Sequence, residues 1–158
     1  MLNLNETNTE YNVDKDKYFL ALKTAFASEF CFFIKAQNFH WNVEGPLFTQ
    51  LHQLFGGIYE EVYASIDPFA ENLRKLDIYT PASLQKFNML TTVSDENDVP
   101  EFQGMLQELL ADSEKMSNIF RITFDMAEAN GDHGLSNFLA DRQDAHKKHS
   151  WMLRASLK

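Results

Sequence analysis

Apolar residues recur at spacings of three and four along most of the chain, the period of helices that bury one face. Phe19, Leu22, Phe26, Phe30, Phe33 and Ala36 form the first such stripe. With Asp14 as its cap, a helix is predicted from there to about Phe39. Asn42-Val43-Glu44-Gly45-Pro46 breaks it. A second stripe, Leu51, Leu54, Ile58, Val62 and Ile66, runs within a helical segment from Leu47 to about Leu76. Gly56-Gly57 and Pro68 both disfavour a regular helix there, so one kinked helix and two shorter ones both remain open. Residues 77–98 read as a connection enclosing a short amphipathic piece, Ala82 to Met89. A third long helix is expected from about Pro100 to Asn130, with Phe102, Met105, Leu109, Met116, Phe120, Thr123 and Ala127 inward. The last spans about Asp132 to Ala155, with Leu135, Phe138, Leu139, Ala145, Met152 and Leu153 inward. No alternation of useful length suggests a strand. The expected fold is therefore all-α, a four-helix bundle of ferritin-like connectivity with a short extra helix in its long crossover.

Composition refines this picture only a little. The 158 residues suit one domain, read as residues 15–158 preceded by a polar, flexible arm of residues 1–14. The net charge of −9 repels phosphate backbones, so direct DNA binding is disfavoured. The single cysteine, Cys31, lies in an apolar run and reads as a small buried hydrophobe, without an intrachain disulfide. No secretion signal and no membrane span is recognisable, so a cytoplasmic protein is expected.

The chemistry-bearing residues are few. A bundle that holds two irons inside one subunit needs Glu-x-x-His on each of two helices, and the sequence contains none. It offers His40, His52, Asp67 and Glu71, imidazoles and carboxylates that suit iron in both oxidation states. Asp67 and Glu71 are four apart and share a helix face. His52 and Asp67 are fifteen apart, about 60° in rotation but roughly 22 Å along a helix axis. One chain cannot close these groups on one ion. An antiparallel copy, with a two-fold axis near residues 59–62, brings His52 of one chain beside Asp67 and Glu71 of the other. Taken singly, each residue also has an ordinary reading. His40 and His52 serve as structural histidines, Asp67-Pro68 as a cap with a first-turn proline, and Glu71 as a surface acid.

His40-Trp41-Asn42-Val43-Glu44-Gly45-Pro46-Leu47-Phe48, then Leu51-His52, Tyr59, Asp67 and Ala70-Glu71, resembles the signature of the Dps family. The closing segment Lys148 to Ala155 is similar to that family's last helix. The resemblance spans roughly residues 15–157. It implies an iron-storage cage, a homododecamer built from two-fold dimers, with ferroxidase activity that protects against oxidative damage. By the same resemblance, iron is held at inter-subunit sites by His40 and His52 of one subunit and Asp67 and Glu71 of the next. Fe(II) is then oxidised to Fe(III), with hydrogen peroxide as oxidant, and the product mineralises in the cavity.

The chain departs from the family at Gly56, where an Asp usually follows the second His by one helical turn. The missing carboxylate motivates an alternative, a Dps-like shell whose site is weakened or inactive. Asp132 and Asp141 fall where relatives line an iron-entry pore, although Asn137 stands where an Asp is often found. An N-terminal cap charge and a surface group read those two acids equally well. His146 and His149 share a face, but Lys147 and Lys148 between them favour a solvated face or an interface over a metal site. DNA compaction, the other activity in the family, rests on Lys-rich tails. The first 14 residues here contain no Lys or Arg.

Overall fold

The structure, a computed structural model, describes residues 14–158. All but the last residue of the expected arm lies outside that range. Five helices follow: α1 (Lys15–Asn42), α2 (Phe48–Lys75), α3 (Leu84–Leu90), α4 (Phe102–Ala129) and α5 (His133–Ser156). No strand occurs among the described residues. Asp14 caps α1 by accepting from the backbone N–H groups of Asp16 and Lys17, and Asp132 caps α5 by accepting from Leu135.

α2 is one helix, which resolves the alternative left open by its glycines and proline. Pro68 lies inside it and is exposed, as is Ala64, whose carbonyl loses its usual donor. Water can satisfy that carbonyl. On the opposite face Val62, Ser65, Phe69 and Leu73 are buried, so packing on both sides of the proline outweighs its helix penalty of about 3 kcal/mol.

The route of the crossover fixes the helix directions. Phe87 of α3 stacks on Phe30 at 4.2 Å, Thr92 donates its N–H to Ser28 Oγ, and Asn38 reaches the carbonyl of Glu96. The connection therefore runs along α1 toward its C-terminal end. A methyl group on Gly45 would lie 3.7 Å from Phe102, which puts the start of α4 beside the α1–α2 turn. Thus α4 runs parallel to α2, and α5 runs parallel to α1.

The core holds the expected stripes: Leu22, Phe26, Leu51, Ile58, Val62, Met105, Leu109, Met116, Phe120, Leu135, Leu139 and Leu153 are buried. Phe69 joins three helices to α2 through Phe26, Phe120 and Phe138, with ring centroids 5.3–5.9 Å apart. Cys31 is only half-buried, a correction to its expected place in the core. No helix among the described residues is long and apolar enough to cross a membrane.

Candidate metal centre

His40 lies in the last turn of α1 and His52 in the second turn of α2, and the short loop folds them together. Their rings stack with centroids 3.8 Å apart and planes 20° from parallel. His40 Nδ1 lies 2.6 Å from the backbone oxygen of His52, and His52 Nδ1 lies 2.7 Å from that of His40. A carbonyl only accepts, so each Nδ1 is the donor, and Nε2 is the nitrogen of each ring left to offer a lone pair. Neither Nε2 has a hydrogen-bond partner among the described residues. A backbone carbonyl that fixes the tautomer and turns the other nitrogen outward is how metal-ligating histidines are commonly oriented. Phe48 and Tyr59 flank the pair at 5.1 Å.

The carboxylates lie elsewhere. Asp67 and Glu71 are exposed near the far end of α2 and make no hydrogen bond or ion pair among the described residues. Asp67 is not a helix cap, because α2 continues through Pro68. Helix geometry leaves roughly 22 Å between His52 and Asp67. No group of three or more His, Cys, Asp or Glu side chains is arranged to hold a metal within the described residues. A single chain thus presents two free imidazole nitrogens at one end of α2 and two free carboxylates at the other.

Asp132 and Asp141 do not meet within the chain. Asp132 caps α5, and Asp141 lies nine residues on, about 13 Å along the axis. Asp141 is exposed in a groove between α2 and α5 with Gln53, Glu61, Asp144 and His149.

A second ionisable cluster sits inside the bundle, and the sequence reading missed it. Glu29 of α1 is fully buried and accepts from Arg142 Nη2 at 2.7 Å and from His146 Nε2 at 2.7 Å. Arg142 also pairs with Glu61 of α2, and His149 Nε2 lies 3.2 Å from Glu61 Oε2. His146 and His149 are therefore buried, not on a solvated face as their lysine neighbours suggested. Burial alone raises a carboxyl pKa, but His146 and Arg142 outweigh it and hold Glu29 at about 2. Glu61 is likewise held at about 2, against burial, by His149 and Arg142. Burial pushes His149 below the usual histidine range, with His146 and Arg142 adding to the effect and Glu61 opposing it. Two carboxylates and two imidazoles are metal donors in kind, but the Arg142 guanidinium already fills the space between the carboxylates. The signal for this cluster was present in the sequence. Glu29 lies three residues after Phe26 on the α1 stripe, and Arg142, His146 and His149 continue the spacing of Leu135 and Leu139.

Comparison with known proteins agrees with the fold. The ferritin-like domain profile matches residues 20–158. The DNA protection during starvation protein of Helicobacter pylori is 30% identical over 142 residues, covering 89% of this chain and 99% of the relative. The crystal structure of Dps from Thermosynechococcus elongatus superposes with a TM-score of 0.87 at 28% identity, covering 91% of this chain and 92% of the other. Dps from Vibrio cholerae, described as a member of a broad superfamily of ferritin-like diiron-carboxylate proteins, gives a TM-score of 0.85 at 26% identity over 90% of each chain. The chain belongs to the ferritin-like family, as a Dps-type miniferritin.

Proposed function

We propose that the protein stores iron and protects against oxidative damage by oxidising ferrous iron at sites shared between two antiparallel copies. His40 and His52 of one subunit supply Nε2 donors, and Asp67 and Glu71 of the other supply hard anionic oxygens. The observation that carries this reading is the separation of the two half-sites on one continuous helix. The two imidazoles are oriented at its start with Nε2 atoms that have no partner among the described residues, and the carboxylates are exposed near its end, likewise without a partner among the described residues. A two-fold axis near the middle of α2 pairs each half with its complement twice. Tyr63 lies near that midpoint and exposes 62% of its surface, which puts a large ring where the second copy would meet α2.

The role of the chain in the oxidation is to bind and position ferrous substrate. With hydrogen peroxide as oxidant, two Fe(II), one peroxide and two waters yield two FeO(OH) and four protons. The two electrons reduce both peroxide oxygens to the water level, so no hydroxyl radical is released. Mineral deposition belongs to the interior of a closed shell, proposed here as a dodecamer whose iron enters past Asp132 and Asp141. Twelve copies at −9 each give about −108, a field that draws cations in and repels DNA.

The test is anaerobic loading with Fe(II) followed by peroxide, with the formation of ferric oxide followed by absorbance. A fast phase above the buffer rate is expected, and it should vanish in the His52→Ala, Asp67→Ala double variant. A second reading, a shell with an inactive site, is motivated by the carboxylate missing at Gly56. It predicts no acceleration over buffer.

A further inference from the structure

Gly56 is buried on the face of α2 that carries His52, one turn further on. A Cβ built there would lie 3.0 Å from both Cε1 and Nδ1 of His40. Real side chains essentially never come closer than this, so a residue with a Cβ fits only if the ring moves. The ring has little freedom to move. Its Nδ1 is bonded to the His52 carbonyl at 2.6 Å, its face is covered by His52 at 3.8 Å, and Tyr59 closes another side at 5.1 Å. Gly57 has no atom within 4 Å of the same construction, so the constraint belongs to position 56 and not to the glycine pair.

We propose that Gly56 is a positioning residue for the metal site: it lets the His40 ring lie against bare α2 backbone, and it limits each site to one tightly held divalent ion, a second being held only weakly. This inference rests on the proposed function and deepens it. The ring occupies the space beside position 56 that a carboxylate would need. In this chain the stacked imidazole pair stands against position 56, so a side chain there requires the His40 ring to give by a few tenths of an ångström. The resulting donor set, two imidazoles and two carboxylates, suits a single borderline divalent ion such as Fe(II), Co(II) or Zn(II). An Asp at 56 does not simply add a ligand, because its Cβ displaces His40.

Co(II) titration followed by its visible absorption tests this without relying on iron oxidation. The native assembly should bind about one Co(II) per chain tightly. Gly56→Ala should weaken that binding roughly tenfold or more, as loss of ligand orientation commonly does. Gly57→Ala, with the same gain in helix preference, should leave it unchanged, and circular dichroism should show all variants equally helical. Gly56→Asp should still bind no more than one Co(II) per chain, and more weakly than the native protein. Native-strength binding in Gly56→Ala, or two tightly held Co(II) per chain in Gly56→Asp, would overturn the inference and leave the shared site standing. No Co(II) binding by the native assembly would overturn both.

Discussion

The His40 and His52 imidazoles lie face to face at 3.8 Å, and each donates its Nδ1–H to the other residue's backbone carbonyl. The end of α1 and the start of α2 are thus tied together by the same groups that present the free Nε2 atoms. Loss of one ring therefore removes a metal donor, that ring's bond to the other residue's carbonyl, and the stacking that covers the other ring. His40→Ala should weaken Co(II) binding by about 10- to 100-fold while helical content is retained. Binding within twofold of native would show that the pair is structural and not a half-site.

Tyr63 supplies a test of association that touches no proposed ligand. It is exposed on α2 between the two half-sites, and Tyr63→Glu places a charge where the second copy is expected. Sedimentation should show smaller species, and the fast phase of iron oxidation should fall with them. A variant that remains fully assembled and active would move the two-fold axis away from the middle of α2.

The buried cluster makes stability dependent on acid. Glu29 is held at about 2 in the folded chain, below its unfolded value, so it stabilises above the ordinary carboxylate range. That contribution, on the order of 3 kcal/mol, is lost as pH falls toward 2. His149 is also lowered, so the unfolded chain takes up its proton first, and the loss of stability begins as pH falls through the ordinary histidine range. Melting temperature measured between pH 7 and pH 3 should fall continuously. Glu29→Gln should melt lower at pH 7 but with a flatter acid slope. An unchanged slope would show that Glu29 does not carry the dependence.

Arg142 should prove more important to the fold than to iron. Its guanidinium is bonded to both Glu29 and Glu61. Arg142→Ala leaves buried negative charge uncompensated, at a cost of about 3–5 kcal/mol. Chemical denaturation should report that loss. A stability within 1 kcal/mol of native, taken as roughly the size of an ordinary surface effect, would mean that the cluster relaxes to solvent.

Much of the fold was legible because α1, α4 and α5 carry long stripes with clear caps and stops. Asp14 and Asp132 cap as their positions suggested, and Asn130-Gly131 ends α4 with Gly131 at a φ of 71°. α2 was legible only in part, since the penalty at Pro68 is local in sequence while the packing of Phe69 on Phe26, Phe120 and Phe138 is not. The pairing of His40 with His52 followed from the Gly45-Pro46 turn. The internal ion cluster did not follow, because Glu29 and Arg142 are separated by 113 residues, and stripe spacing puts each inward without showing that they meet. His146 and His149 were misread because the adjacent lysines point outward while the histidines turn into the bundle.

The shared site is tested most directly by mixing two defective chains. One carries His40→Ala and His52→Ala, and the other carries Asp67→Ala and Glu71→Ala; coexpression with different tags allows mixed assemblies to be isolated. In a mixed antiparallel dimer one of the two sites regains all four ligands and the other has none. Each parent assembly should lack the fast phase of iron oxidation, and random mixing at equal amounts should restore about a quarter of the native amplitude. Isolated mixed assemblies that stay as inactive as their parents would contradict a site built from two chains.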